Sequence, residues 1–159
     1  MKKIKLDFEL EKMKIITKVA FKGSARMRDL IIDIGCSLTT MSHTLFKRLK
    51  YEEADSSPIT ILGLNSKEKS KSVIIPSFII SDQDIGPIRV ALATLKAEFQ
   101  NKILFGMNVL AWFHWDVDMQ KKVFTLTPRK YGSHIKSSDF FVLRNPQESM
   151  LLYTQEKWV

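Results

Sequence analysis

Asp29-Leu30-Ile31-Ile32-Asp33-Ile34-Gly35-Cys36-Ser37-Leu38-Thr39-Thr40-Met41 is the stretch on which the reading of the fold turns. Leu30, Ile31 and Ile32 form a short branched apolar run with no polar face, the pattern of a strand covered on both sides. The run ends at an acid, Asp33. Gly35 follows where a sharp change of chain direction is expected, because glycine alone takes positive φ freely. Ser37, Thr39 and Thr40 then supply hydroxyls for a polar, hydrogen-bonded loop. The sequence therefore delivers one carboxylate to a strand end, with a loop behind it rich in hydrogen-bonding groups.

Upstream, Lys3 to Leu10 alternates Ile4, Leu6, Phe8 and Leu10 with Lys3, Lys5, Asp7 and Glu9, the period of two of a half-buried strand. Met13 to Phe21 is a second run, Lys22-Gly23-Ser24 a turn, and Ala25 to Ile32 returns to Asp33, so a hairpin feeds the acidic loop. Downstream, Ser42 is placed to cap a short helix through Leu49 whose Leu45, Phe46 and Leu49 share a face. Tyr51 to Pro58 reads as a polar connection. Ile59 to Leu64 and Val73 to Ile75 then flank the polar segment Asn65 to Ser72, a long hairpin with a solvated tip.

Phe78 to Ser81 and Ile88 to Leu95 form another strand pair around Asp82 to Pro87. Asp84-Ile85-Gly86 repeats the letters of Asp33-Ile34-Gly35. No apolar strand runs directly into Asp84, Gly86-Pro87 is turn chemistry, and no hydroxyl loop follows, so an exposed turn is expected there. Ile103 to Leu110 is an apolar run broken by Gly106. Phe124 to Thr127 reads as a closing strand after a turn at Met119 to Lys122, and Trp112, Phe113 and Trp115 beside it read as core. Beyond Pro128 the pattern weakens to a turn at Tyr131 to Ser133, a strand at Phe140 to Leu143 and an apolar patch at Met150 to Tyr153.

At 159 residues the chain suits one domain. Its 45% hydrophobic, 10% aromatic and 26% charged residues are those of a folded protein rather than a disordered or fibrous one. No stretch approaches the roughly 18–20 apolar residues of a membrane span, and the N-terminus interleaves charges with apolar residues, unlike a signal peptide. A single cysteine, Cys36, rules out an internal disulfide. A cytoplasmic protein with no membrane partner is expected.

The net charge of +8 is concentrated in residues 1–50, which hold twelve Lys and Arg against five Asp and Glu. Such a surplus suits nucleic acid or an acidic partner. The lysines, however, alternate with apolar residues along apparent strands, as on a solvated strand face, so nucleic acid is not the expected partner.

The Asp33 loop resembles the D-[TS]-G-[AS]-[ST] loop of the retropepsin-like aspartic proteases. Asp33, Gly35 and Ser37 match it, Cys36 stands for the usual small Ala or Ser, and Ile34 replaces the usual Thr or Ser. The segment I-L-F-G-M-N-V-L, with Gly106, Asn108 and Leu110, resembles the family's I-[IL]-G-x-[DN]-x-L motif, in which a short helix packs beside the acidic loop. With the hairpin between them, the likeness covers about residues 13 to 127 in the family's order. It implies an all-β, barrel-like single lobe with one or two short helices and a flap hairpin. Residues 1–127 would be the protease domain, and 128–159 an extension packing on the domain or a partner.

The resemblance further implies a homodimeric aspartic endopeptidase. One acidic loop per chain supplies one carboxylate, so Asp33 must meet its twin across a two-fold axis to act on a peptide or protein substrate. Ile34, Gly35, Cys36 and Ser37 would form the active-site loop, and Gly63, Leu64, Asn65 and Ser66 the flap. No metal or cofactor is required. The family's hydroxyl at the position of Ile34 braces the two loops across the axis, and Ile34 has none. That departure motivates a second reading, a weakly active or inactive dimer serving as a protein-binding module. A third is a thiol site at Cys36 with His43 or His114 as base; a lone cysteine in such a loop is more often a packed residue.

Overall fold

The computed structural model describes residues 1–24, 26–51, 56–62 and 67–129. The chain divides into Met1–Arg129 and Lys130–Val159, and only the first unit falls within the described residues. The turn, strand and apolar patch expected beyond residue 130 lie outside them, as do the flap residues Gly63, Leu64, Asn65 and Ser66.

The first alternating run is two strands, β1 (Ile4–Asp7) and β2 (Glu9–Glu11), separated by Phe8. The first pairs with one sheet and the second with another. Phe8, 4% exposed, donates its N–H to Lys122 O at 3.0 Å at the point of transfer. Ile4 and Leu6 are buried as the alternation predicts, whereas Leu10, expected on the same face, is 45% exposed. The change of sheet at Phe8 ends the register that the alternation assumes, because a strand's faces are defined only within one sheet.

The hairpin feeding Asp33 consists of β3 (Lys14–Ala20) and β4 (Arg28–Ile32), paired antiparallel. Gly23 takes φ +82° in its turn. After the acidic loop come β5 (Thr40–Ser42) and α1 (His43–Leu49). Ser42 caps this helix as expected, its hydroxyl accepting the Leu45 N–H at 3.0 Å. Leu45 and Phe46 turn into the core.

Next follow β6 (Ser57–Leu62) and β7 (Lys67–Ile75), antiparallel with Leu62 opposite Lys67. The polar stretch Lys67 to Ser72, expected as a solvated tip, is thus strand. Its backbone pairs with β6, and at Lys71 and Ser72 also with β10 (Ile88–Ala93). Pairing with β6 along its length, and with β10 at Lys71 and Ser72, makes this stretch strand whatever its side chains prefer.

β8 (Ile79–Ile80) and β9 (Gln83–Asp84) precede β10. A 3-10 turn at Ala97–Phe99 then leads to β11 (Lys102–Phe105), α2 (Met107–Leu110), β12 (Phe113–Asp118) and β13 (Val123–Pro128).

Among the described residues the strands form two sheets. One is three-stranded, β1-β13-β12. The other is ten-stranded, running β6-β7-β10-β5-β11-β4-β3-β8-β9 with β2 beside β3, an open path rather than a closed ring. The fold is all-β with two short helices.

The core gathers side chains from both sheets, among them Leu30, Phe78, Phe105, Phe113 and Phe124, each at most 1% exposed. Phe105 stacks on Phe78 at 5.8 Å between ring centroids, and Phe21 meets Phe78 edge-on at 5.4 Å. Of the three aromatics expected in the core, only Phe113 is there. Trp112 and Trp115 are 41% and 40% exposed, because Trp112 precedes β12 and Trp115 lies on it, an edge strand of the three-stranded sheet. No described helix is long and apolar enough to cross a membrane.

Asp84 is exposed as the sequence implies, but it stands at the end of β9, paired with Ile79, rather than in a turn, which falls at Ser81 and Asp82. Its carboxylate accepts from Ser77 Oγ at 2.6 Å, Phe78 N–H at 2.9 Å and Gly86 N–H at 3.0 Å. The Ser77 hydroxyl, and then the backbone donors, hold its pKa below the ordinary 3.8. A lowered folded-state pKa stabilises the fold above the ordinary value, and that contribution is lost as pH falls through the folded one. Asp84→Asn is therefore expected to melt below the parent protein at neutral pH, with the gap closing in acid; thermal melts across that range check it.

Candidate active site

The position of Asp33 follows from one insertion. β11 lies between β4, to which it is parallel, and β5, to which it is antiparallel. The chain leaving β4 must therefore cross the end of β11 to reach β5, a span of two strand spacings or about 10 Å. Residues 33–39 make that crossing. Asp33 begins it with its N–H on Phe105 O at 3.1 Å, which locks the end of β4 to the end of β11.

The rest of the loop is held by the residues after β11. Met107 N–H donates to Cys36 O at 2.8 Å and Asn108 N–H to Ser37 O at 2.9 Å. Asn108 Oδ1 accepts from Thr39 N–H at 2.7 Å and Thr39 Oγ1 at 2.9 Å, while its Nδ2 donates to Arg89 O at 2.8 Å. Thr39 Oγ1 in turn accepts the Gly106 N–H at 3.1 Å. Thr39 is fully buried, and this exchange satisfies its hydroxyl both as donor and as acceptor. The sequence marks Thr39 only as one of several loop hydroxyls; its partner is 69 residues away, beyond the reach of any local pattern.

Gly106 is required by space. A Cβ built on it would stand 2.5 Å from Leu38 C, 2.6 Å from Thr39 N and 2.8 Å from Cys36 O, all backbone atoms of the loop. Gly35 differs from expectation, since it is not in the left-handed region and needs no positive φ. The bend is made instead by hydrogen bonds: Cys36 N–H to Asp33 O at 3.2 Å, and Gly35 N–H to Asp33 Oδ1 at 3.0 Å. A Cβ at Gly35 would meet Asp33 Oδ1 at 3.4 Å, an ordinary contact.

The Asp33 side chain is half-buried, with Oδ1 held by Gly35 N–H and Oδ2 without a hydrogen-bond partner among the described residues. Ile34 and Ser37 are exposed, Ile34 at 44%. Cys36 Sγ contacts Leu38 O at 2.8 Å and Thr40 Oγ1 at 3.4 Å. Burial pushes this thiol's pKa up, the Thr40 hydrogen bond opposes that shift, and the nearby Asp33 charge adds to it. No histidine hydrogen-bonds the thiol, so among the described residues nothing activates Cys36 as a nucleophile. No group of three or more His, Cys, Asp or Glu side chains is assembled for a metal among those residues either.

Two substitutions test this framework. Gly106→Ala is expected to cost about 3 kcal/mol by overpacking, lowering the melting temperature by about 10 °C, whereas Gly35→Ala melts close to the parent. Thr39→Val removes the buried hydroxyl that joins Asn108 to Gly106 and is expected to cost about 1–3 kcal/mol. Denaturant unfolding reads that loss, and Thr39→Ser should largely avoid it.

No family model matches the chain, and no curated protein matches it significantly. Among solved structures it is similar to a retropepsin-like aspartic protease from Rickettsia conorii, with a TM-score of 0.59 and 16% identity, over 79% of this chain and 90% of that one. With β11 threaded between β4 and β5 and the acidic loop crossing its end, the chain has the fold of a retropepsin-like aspartic protease lobe.

Proposed function

We propose that the protein is an aspartic endopeptidase that acts as a homodimer, with Asp33 of each chain serving one shared water. The observation that carries this reading is the state of Asp33. Its carboxylate stands at the end of a buried strand, in a loop fastened by at least six hydrogen bonds to its own backbone and to the residues after β11. One oxygen is fixed by Gly35 N–H and the other has no partner within the described residues. Such a group is oriented by the fold yet free to bind.

Peptide hydrolysis of this type needs two carboxylates, and one chain brings one such loop. In the dimer, two carboxylates this close do not both ionise, so the pair retains one proton, as in aspartic proteases generally. The ionised Asp33 draws a proton from water as it attacks the scissile carbonyl, and the protonated Asp33 of the partner subunit donates a hydrogen bond to the carbonyl oxygen. No metal or cofactor takes part in these steps. Residues 63–66, which join β6 to β7, would cover bound peptide and offer backbone groups to an extended substrate. A reducing, cytoplasmic setting accords with the single free Cys36.

The exposure of Ile34 supports a second reading. Next to Asp33 stands an apolar side chain, 44% exposed in the single chain, where the family's loop carries a hydroxyl. Two copies of Ile34 would meet as an apolar contact rather than a hydrogen-bonded brace. A dimer so joined, with catalysis weakened, would be a protein-binding module.

Incubation of the purified protein and of Asp33→Asn with a mixed peptide library, from acid to neutral pH, separates the two readings. New termini detected by mass spectrometry with the parent and absent with the variant are the expected outcome. Cleavage that survives Asp33→Asn overturns the aspartic mechanism. No cleavage by a protein confirmed as a dimer favours the binding module, and Ile34→Thr then reports whether restoring a hydroxyl restores activity.

A further inference from the structure

At the opposite end of β4 from Asp33, Arg26, Met27, Arg28 and Asp29 meet Arg48 of α1 and Asn101, which precedes β11, around a partly open cleft of about 160 Å³. Asp33 lies five positions along extended chain from Arg28, about 16 Å, so the cleft is distinct from the candidate active site and stands whether or not the protease reading does. Residues 1–50 contain nine lysines and three arginines, and all three arginines line this cleft.

Among the described residues of the lining the charges do not cancel. Asp29, the only acid of the lining among the described residues, is engaged by Lys18 across the β3–β4 pair. Lys18 and Asp29 offset one another, leaving three guanidinium charges around the opening. Arg48 Nη1 donates to the neutral Asn101 Oδ1 at 2.7 Å, which holds that guanidinium against the wall without neutralising it. Arg28 Nε is shielded from solvent and finds no acceptor among the described residues.

Charge and shape favour one class of ligand. Guanidinium forks match anionic oxygens bidentately and stay charged at every relevant pH. A single carboxylate presents two coplanar oxygens and one charge, too few for three forks. A phosphate monoester or inorganic phosphate carries about −1.5 to −2 at neutral pH and at least three acceptor oxygens in a tetrahedral array. The cleft has room for about five water volumes, which suits a phosphate group and excludes a buried nucleoside.

We propose that this arginine cleft binds a phosphate dianion, either free or as the terminal group of a small ester. Isothermal titration calorimetry of the full chain with inorganic phosphate and with phenyl phosphate, at constant ionic strength with chloride as the balancing ion, tests it. The expected result is saturable binding of at least one of them at one site per chain, with acetate not saturating in the same range. Binding of both identifies the phosphate group itself as the ligand, and binding of phenyl phosphate alone identifies the ester.

Arg26→Gln and Arg48→Gln alter exposed side chains and leave the core untouched. Each is expected to weaken binding about tenfold, and Arg28→Lys, which keeps the charge but not the fork, should also weaken it. Lys121→Gln, a cation paired with Asp118 on a distant turn, should leave it unchanged. No saturable binding of either phosphate, acetate binding as tightly, or full affinity in the Arg26 and Arg48 variants would each overturn the proposal.

Discussion

The structure depends on the placement of β11 between β4 and β5. Once that strand is inserted, the chain from β4 to β5 has to pass over its end, and the peptide groups of the crossing lose the partners a simple hairpin would give them. They are recovered from the residues that follow β11: Phe105, Met107 and Asn108 supply the carbonyl, the amides and the side-chain oxygen that the loop needs. The close approach is possible because residue 106 has no side chain. Strand insertion, the absence of a Cβ at Gly106 and the two hydrogen bonds from Thr39 to Asn108 are thus one arrangement.

That arrangement accounts for the chemical character of the site. The loop is fastened at Asp33, Cys36, Ser37 and Thr39 by hydrogen bonds to the end of β11 and the residues after it, and Asp33 Oδ2 has no hydrogen-bond partner among the described residues. Cys36, immediately beside it, is spent on structure: its thiol faces Leu38 O and Thr40, and burial disfavours the thiolate. Ile34 presents an apolar side chain outward where a second copy of the loop is proposed to lie. An aliphatic contact there would join two loops by burial rather than by a directed hydrogen bond. It would hold them less specifically in orientation, which is why binding without strong catalysis belongs beside the protease reading.

β4 carries contrasting chemistry at its two ends. Asp33 follows its C-terminal end, while Arg28 at its N-terminal end joins Arg26 and Arg48 in a cleft whose positive charge exceeds the negative among the described residues. The middle of the strand, Leu30 and Ile31, is fully packed and isolates the two. The basic surplus of residues 1–50 is therefore of two kinds: the lysines are scattered over β1, β3, α1 and the segments between them, and the arginines line one cleft.

The sequence by itself determined the elements whose cause is local. The apolar run into Asp33, the Ser42 cap and α1, the turn at Gly23, the exposure of Asp84 and the break at Gly106 are legible because strand period, capping and turn preference act over a few residues. Only the tertiary structure decided what depends on distant partners. It ended the first strand at Phe8 by moving the chain to another sheet, and made Lys67 to Ser72 a strand by pairing it along β6 and, at Lys71 and Ser72, with β10 as well. It left Trp112 and Trp115 exposed at a sheet edge, bonded Thr39 to Asn108, and gathered three arginines at one cleft. The physical reason is common to all of these. Backbone pairing and side-chain contact between residues far apart in the chain are set by how the strands are ordered in the sheets, and local hydrophobic pattern carries no record of that order.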